Sequence, residues 1–266
     1  MKILGVDIGG TKIDLVLYDN SSNGYEYLGK YPTSERLADL GRYVDEVAIE
    51  HEVDAIGVSI AAWIKEGRPF FSPNLPETPQ FSSSLPVFFE NDANCFGLFA
   101  YDRLRLPHIF AVTLGTGIGS GIITDGRLYT GNGKAGEVGH TVIDQERQCT
   151  CGGVGHLEAY FSGWALKKKY GKDVKELKQD EDHFYSLPEF RIFCRQIANV
   201  VTVLDPSAVV FGGGIGVHLN RDKLEKGIYS FLMQPFTPQI EILEDPLAVV
   251  KGACIMGWRR LKEQEI

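Results

Sequence analysis

The chain lacks any Gly-x4-Gly-Lys-Ser/Thr run, so the Walker phosphate loop and its mechanism are not implied. It lacks an apolar stretch of transmembrane length, and Met1-Lys2 leads into a strand pattern with no signal-peptide signature. Positive charge is in deficit: 27 Lys and Arg stand against 35 Asp and Glu, a formal net charge of -8. That balance argues against nucleic acid or a membrane as the main partner, although a whole-chain sum does not exclude a local basic phosphate site. Cysteine is scarce and odd in number, five in all, with no disulfide framework. A reducing, cytoplasmic setting is expected. What is present is ordinary globular composition, 44% hydrophobic and 23% charged over 266 residues. That length suits one large or two medium domains with a substantial core.

Two segments repeat one device. Leu4-Gly5-Val6-Asp7-Ile8-Gly9-Gly10-Thr11-Lys12-Ile13 is an apolar strand entering a glycine turn and leaving as a second apolar strand. Ala111-Val112-Thr113-Leu114-Gly115-Thr116-Gly117-Ile118-Gly119 does the same. Paired glycines beside a small hydroxyl residue let backbone N–H groups approach an oxyanion with no side chain intervening. Gly117-Ile118-Gly119-Ser120-Gly121 is no dinucleotide fingerprint, since it continues into Ile122-Ile123-Thr124, a strand and not a helix opening. One such turn reads equally well as an ordinary hairpin. Two of them, on opposite halves, suggest two walls holding a polyphosphate, and therefore a nucleotide-dependent phosphotransferase.

The pattern predicts strands at Lys2–Asp7, Ile13–Tyr18, Tyr25–Tyr31 and Asp54–Ile60. A helix over Ser34–His51 is expected, capped by Ser34, with Leu37, Leu40, Val44, Val47 and Ala48 on one stripe. Residues 63–86 carry Pro69, Pro73, Pro76, Pro79 and Pro86 and read as too broken for regular structure. Val87–Phe89 returns as a strand and runs into a helix over Asn91–Leu104. The second half repeats the order with strands at Ile109–Leu114 and Ile118–Thr124, then a glycine-rich insert with Cys and His at 131–156. A helix at Glu189–Leu204 presents Phe190, Phe193, Ile197, Val200 and Leu204, and Asp205-Pro206 stops it. Ala208–Phe211 then enters Gly212-Gly213-Gly214, followed by a helix around Val217–Met233, a strand at Ile240–Leu243 and a last helix from Leu247.

At six places the chain resembles the ROK family of sugar kinases within the actin-like ATPase superfamily. These are Asp7-Ile8-Gly9-Gly10-Thr11-Lys12, Glu90-Asn91-Asp92-Ala93-Asn94, Gly115-Thr116-Gly117-Ile118-Gly119, Gly136-Glu137-Val138-Gly139-His140, Cys149-Thr150-Cys151-Gly152, and Glu158 with Ser162-Gly163. The resemblance implies an α/β, two-domain, ribonuclease H-like fold with an interdomain cleft. It divides the chain into 1–108, joined by the C-terminal helix at 247–266, and 109–246 carrying a zinc-binding insert. A homodimer is also expected.

Asp92 lies at a strand-to-helix junction. There an Asp can cap the helix, or it can accept the proton of an attacking hydroxyl. The resemblance assigns it as the catalytic base, with Asn91 on a sugar hydroxyl. It assigns Glu137, His140 and Glu158 as further sugar contacts, and Asn74 as a candidate. Carboxylates and amides paired with vicinal hydroxyls fix orientation, which is a large share of the rate; the alternative is a solvated glycine-rich loop. For ATP, Asp7 would orient Mg2+ through water, and Gly9, Gly10, Thr11 and Lys12 would meet the phosphates. Gly115, Thr116 and Gly117 would close on them. Gly213 and Gly214 would let an adenine lie against backbone, unless they form a plain strand-to-helix turn.

His140, Cys149, Cys151 and His156 supply two imidazoles and two thiolates, a sufficient tetrahedral zinc set with no open position. The family has a third cysteine where this chain has His156. Such a zinc would be structural, fixing His140 so that its other nitrogen meets the sugar. Cys95, Cys194 and Cys254 read as core thiols. A second departure is Ala61-Ala62-Trp63, where the family carries a Gly-Pro turn against the sugar; the indole can narrow the pocket, stack on a pyranose, or pack on the proline-rich loop. The implied activity is ATP-dependent phosphorylation of a hexose, glucose at the 6-hydroxyl first. N-acetylmannosamine, N-acetylglucosamine and fructose follow as acceptors. A sugar- or nucleotide-sensing protein without turnover is the non-enzymatic alternative.

Overall fold

Strand β1 (Lys2–Ile8) turns back through Gly9–Thr11 into β2 (Lys12–Asp19), and a second reversal forms β3 (Gly24–Pro32). β1 also pairs in parallel with β4 (Ala55–Ile60), which pairs in parallel with β7 (Val87–Asn91), giving the order β3-β2-β1-β4-β7. The second sheet repeats this. β8 (Ile109–Leu114) is antiparallel to β9 (Ile118–Thr124), which pairs with β10 (Arg127–Tyr129). β8 is parallel to β11 (Ala208–Gly212), and β11 to β12 (Gln239–Ile242), in the order β10-β9-β8-β11-β12. The computed structural model describes residues 1–71, 79–81 and 83–264.

Contacts divide the chain into two units. The first comprises Met1–Asp102, Thr130–Lys134 and Pro246–Ile266, and the second Arg103–Tyr129 and Ala135–Asp245. In the first, alternation along β1 sends Leu4, Val6 and Ile8 to one face, against Leu40, Val44 and Val47 of the helix Leu40–Glu50. Ile3 goes to the other face, against Val250 and Cys254 of the helix Ala248–Gln264. That helix lies so close to the sheet that a Cβ on Gly57 would come within 2.1 Å of the Ala253 carbonyl oxygen, so the position admits only glycine. In the second unit Phe110, Val112 and Leu114 of β8 meet Phe193, Ile197 and Val201 of the helix Pro188–Leu204.

Three expected elements differ. The helix expected over 34–51 is three pieces: Thr33–Arg36, a 3-10 turn Leu37–Asp39, and Leu40–Glu50. Ser34 lies inside the first and caps nothing; the preceding Pro32 ends β3, and the Thr33 hydroxyl is drawn to the Gly9 carbonyl at 2.7 Å. Residues 63–86 are not uniformly irregular, because β5 (Trp63–Lys65) and β6 (Arg68–Phe71) form a hairpin. Its two-residue turn, Glu66-Gly67, takes positive φ at both positions, the geometry that matches strand twist. The helix expected at 217–233 is a short turn at Gly213–Gly216 followed by Arg221–Tyr229, whose start is set by Asn220 accepting from Lys223 N at 3.1 Å. Leu204, expected on the buried stripe, is 38% exposed, and Val201 takes its place. Among the described residues no helix is long and apolar enough to cross a membrane.

Candidate active site

In the first unit, Gly9 N donates to the Lys12 carbonyl at 2.9 Å and closes the turn, while Thr33 N donates to the Thr11 carbonyl at 3.1 Å. Gly10 and Thr11 are exposed at its tip. Asp7 follows the buried run Ile3–Val6 of β1, with buried Ile8 between it and the turn, and the Ser59 hydroxyl of β4 donates to its Oδ1 at 2.8 Å. Burial pushes the Asp7 carboxyl up to about 7. The Ser59 bond opposes this, the Asp92 charge adds to it, and Lys12 counters it.

Asp92 is the first residue of the helix Asp92–Leu104. Asn91, just before it, accepts from Ala93 N at 2.9 Å and Asn94 N at 3.4 Å, and so performs the capping that Asp92 was a candidate for. Asp92 Oδ1 also accepts from Ala93 N at 2.9 Å, and burial raises the carboxyl above its ordinary value against that bond. Asn91 Nδ2 donates to the Ala62 carbonyl at 3.3 Å, leaving one amide hydrogen for another partner. Beneath them buried Glu90 accepts from Asn91 N and Asn94 Nδ2, both at 2.9 Å. Asn74 lies outside the described residues. Trp63, one residue past Ala62, is half-buried; its ring lies 6.0 Å from Phe70 and 5.0 Å below the Lys134 ammonium.

In the second unit, Gly115 N donates to the Gly117 carbonyl at 3.0 Å. The Gly115 carbonyl accepts from Gly163 N at 3.0 Å and the Thr116 carbonyl from Trp164 N at 3.3 Å, so the segment 162–164 braces the turn. Glu158 Oε2 accepts from Ile118 N at 2.9 Å, and Trp164 Nε1 donates to its Oε1 at 3.4 Å. Glu158 is thus tied to the glycine turn as well as being a sugar candidate. Gly213 has φ +82, and a Cβ there would stand 2.6 Å from the Leu114 carbonyl oxygen; Gly214 faces open space.

His140, Cys149, Cys151 and His156 converge, with one donor atom from each within 4.8 Å of all the others. Cys151 Sγ lies 3.1 Å from His156 Nδ1, and Cys149 Sγ lies 3.9 Å from His140 Nδ1. His140 Nε2 faces the other way, 4.0 Å from Glu137 Oε2. The loop is closed by Cys149 N on the Gly153 carbonyl at 2.8 Å. His156 needs more room than a cysteine, and Gly153 supplies it: a Cβ there would fall 2.3 Å from the imidazole Cε1. Two thiolates and two imidazoles in this cluster fit a closed, four-ligand zinc.

Several participants escaped sequence reasoning. Asp14 is buried beside Lys12, Ser59 holds Asp7, and Glu90 supports Asn91. Glu189, 1% exposed, receives bonds from Arg147 of the insert at 2.8 Å, from Tyr170 at 2.7 Å and from Lys169. Burial alone would raise its carboxyl, but these three donors outweigh it and hold it at about 2. For Asp14, Glu90 and Glu189 the available signal was a charged residue interrupting an apolar strand or helix face; Ser59 carried no such signal.

A strand order shared by both sheets, each with a glycine turn between its first hairpin strands, defines the mixed α/β fold of the actin-like ATPases. The sequence profile of the ROK family matches residues 3–258. The chain belongs to that family. It is 29% identical to a glucokinase of Thermotoga maritima, over 100% of this chain and 98% of that protein. It is 28% identical to an N-acetylmannosamine kinase of Vibrio cholerae, over 97% and 98%. Among solved structures, the ROK hexokinase from Thermus thermophilus superposes with a TM-score of 0.82 at 28% identity, covering 99% of this chain and 100% of that one.

Proposed function

We propose that this protein is an ATP-dependent sugar kinase that phosphorylates a hexose, with glucose at the 6-hydroxyl as its acceptor. The observation that supports this most is the pair Asp92 and Asp7. Asp7 lies near the end of β1 and Asp92 just past the end of β7, with β4 between these two strands; burial raises both carboxyls, and the charge of Asp92 is felt at Asp7. Asp92 accepts the proton of the attacking hydroxyl as the new O–P bond forms and the bond to the β-phosphate oxygen breaks, releasing ADP. Burial makes it a stronger acceptor than an exposed Asp. Asp7 would orient Mg2+ through water, while the N–H groups of Gly10 and Thr11, with Lys12, meet the phosphates at the turn that Gly9 closes. In the second unit, taken by itself, we assign Gly115, Thr116 and Gly117 to nucleotide phosphates and Gly213 and Gly214 to the adenine.

Glu137, His140 and Glu158 are assigned to the sugar with Asn91, and Asn74 is carried in the same role. Zinc on His140, Cys149, Cys151 and His156 would supply rigidity and no open coordination position. With Nδ1 on the thiol side, His140 turns Nε2 toward Glu137, so both side chains are oriented as one group. The second reading is an amino-sugar kinase, favoured by near-equal identity to the glucokinase and the N-acetylmannosamine kinase. ADP release measured with glucose, N-acetylmannosamine, N-acetylglucosamine and fructose decides between them, with glucose expected to show the highest kcat/KM. Absence of sugar-dependent ADP release with all four would overturn the kinase assignment in favour of a sensing protein.

A further inference from the structure

Lys12 opens β2 immediately after the Gly9–Thr11 turn. Side chains two apart on a strand share a face, and Lys12 Nζ stands 2.8 Å from Asp14 Oδ2. The other oxygen, Oδ1, accepts from the Tyr27 hydroxyl on β3 at 3.0 Å. The exposures are unequal: the Asp14 side chain is 3% exposed and the Lys12 side chain 47%. A carboxylate taken out of water needs partners for both oxygens, and here each oxygen has one. The ammonium is therefore held from inside the sheet, with its remaining two hydrogens free to face outward.

We propose that Asp14, itself fixed by Tyr27, is a positioning residue that holds the Lys12 ammonium at the turn for an incoming polyphosphate. This rests on the assignment of Gly9–Lys12 to the nucleotide phosphates. A lysine is a point charge on a flexible four-carbon stem, and ordering that stem at every binding event costs affinity. Anchoring it beforehand removes that cost. Tyr27 stops the carboxylate from swinging: with Oδ1 engaged from the neighbouring strand, Oδ2 keeps its place beside Lys12. The antiparallel register sets Asp7 opposite Asp14, so the anchored ammonium also stands by the carboxylate assigned to the metal-bound nucleotide. The field at Asp7 agrees, since Lys12 lowers its proton affinity and Asp14 raises it.

A purely structural ion pair would look the same in a single variant, so the test is a double-mutant cycle on the full chain. Affinities for ATP in the absence of sugar, and for adenosine, are measured by calorimetry for the wild type, Lys12→Met, Asp14→Asn, Tyr27→Phe and the Lys12→Met/Asp14→Asn double variant. Asp14→Asn is expected to weaken ATP about 5–20-fold and Tyr27→Phe about 2–5-fold, with adenosine unchanged. In the Lys12→Met background Asp14→Asn should cost nothing further, because its effect passes through the lysine. Wild-type ATP affinity in folded Asp14→Asn overturns the proposal, and so does an equal loss for adenosine or a full additive loss in the double variant. Should Asp14→Asn melt below the assay temperature, Tyr27→Phe carries the test alone, since that ring is 46% exposed and its truncation is mild. If Lys12→Met itself leaves ATP affinity intact, the phosphate assignment of the turn falls and takes this proposal with it. Failure of Asp14→Asn beside a defective Lys12→Met overturns the positioning role only.

Discussion

Ser59 and Asp7 face each other across the parallel β1–β4 pair, and the serine hydroxyl donates to Asp7 Oδ1 at 2.8 Å. Ser59 is completely buried, so this bond is made away from water and holds one carboxylate oxygen in a fixed direction. Even so, burial outweighs the hydrogen bond, and the free protein holds Asp7 at about 7.

That value has a measurable sign. In the unfolded chain Asp7 returns to its ordinary value of 3.8, so between about 4 and about 7 the unfolded state loses its proton first. The contribution to stability is therefore complete below the unfolded value, declines as pH rises, and is gone once pH passes the folded value. Urea unfolding of the nucleotide-free protein should show Asp7→Asn gaining on the wild type over this window, by at most about 1.4 kcal/mol per pH unit. A constant gap between the two proteins would contradict the assignment.

Asp92→Asn should lower kcat by about 10²–10⁴-fold while the melting temperature stays near that of the wild type. The replacement keeps an oxygen for Ala93 N, so the helix start survives. A folded variant with near-normal kcat would remove Asp92 from the chemistry.

One zinc per chain is expected by elemental analysis of the purified protein. Cys149→Ser should lose metal and melting temperature together, since Cys149 is only 6% exposed and packs with Ala159 and Tyr160. Metal-free protein with unchanged melting would rule the site out.

Trp63→Ala should change the ranking of kcat/KM across the sugar panel, by about 1–3 kcal/mol between the most and least affected sugars. The reason is local: Trp63 follows Ala62, whose carbonyl holds the Asn91 amide. A uniform change for every sugar would make the indole a packing residue over Phe70.

The repeated strand–turn–strand pattern carried most of the fold. The strand–turn–strand segments around Gly9 and Gly115 pointed to a repeated hairpin, and the period of two sets which of their side chains share a face; the order of strands across each sheet is a matter of long-range pairing. The metal-type cluster was legible for a similar reason: Cys149, Cys151 and His156 are close in sequence, so a short loop suffices to gather them. Contacts across long separations were not legible. Tyr27 reaches Asp14 only through the β2–β3 register, which shifts at Leu15 and Val16, and nothing in either strand alone announces that shift. The Trp63 hairpin was hidden because the prolines around it outweighed a two-residue Glu66-Gly67 turn.

Glu189 gathers Arg147 from 42 positions away and Lys169 from 20, clasping the glycine-rich insert and the helix Gly163–Tyr170 onto the first turn of the long helix Pro188–Leu204. An insert fastened in this way has no easy route to breathe by itself. To let go of Arg147 it would have to take one of three donors from a carboxylate that the core has sealed from solvent, leaving only Lys169 and Tyr170 to hold it, so its opening is opposed by the packing of the helices behind it. Amide protons around Arg147 should then exchange with the slow, cooperative timing of the second unit's interior, and a protease should find there no loop that opens ahead of the rest.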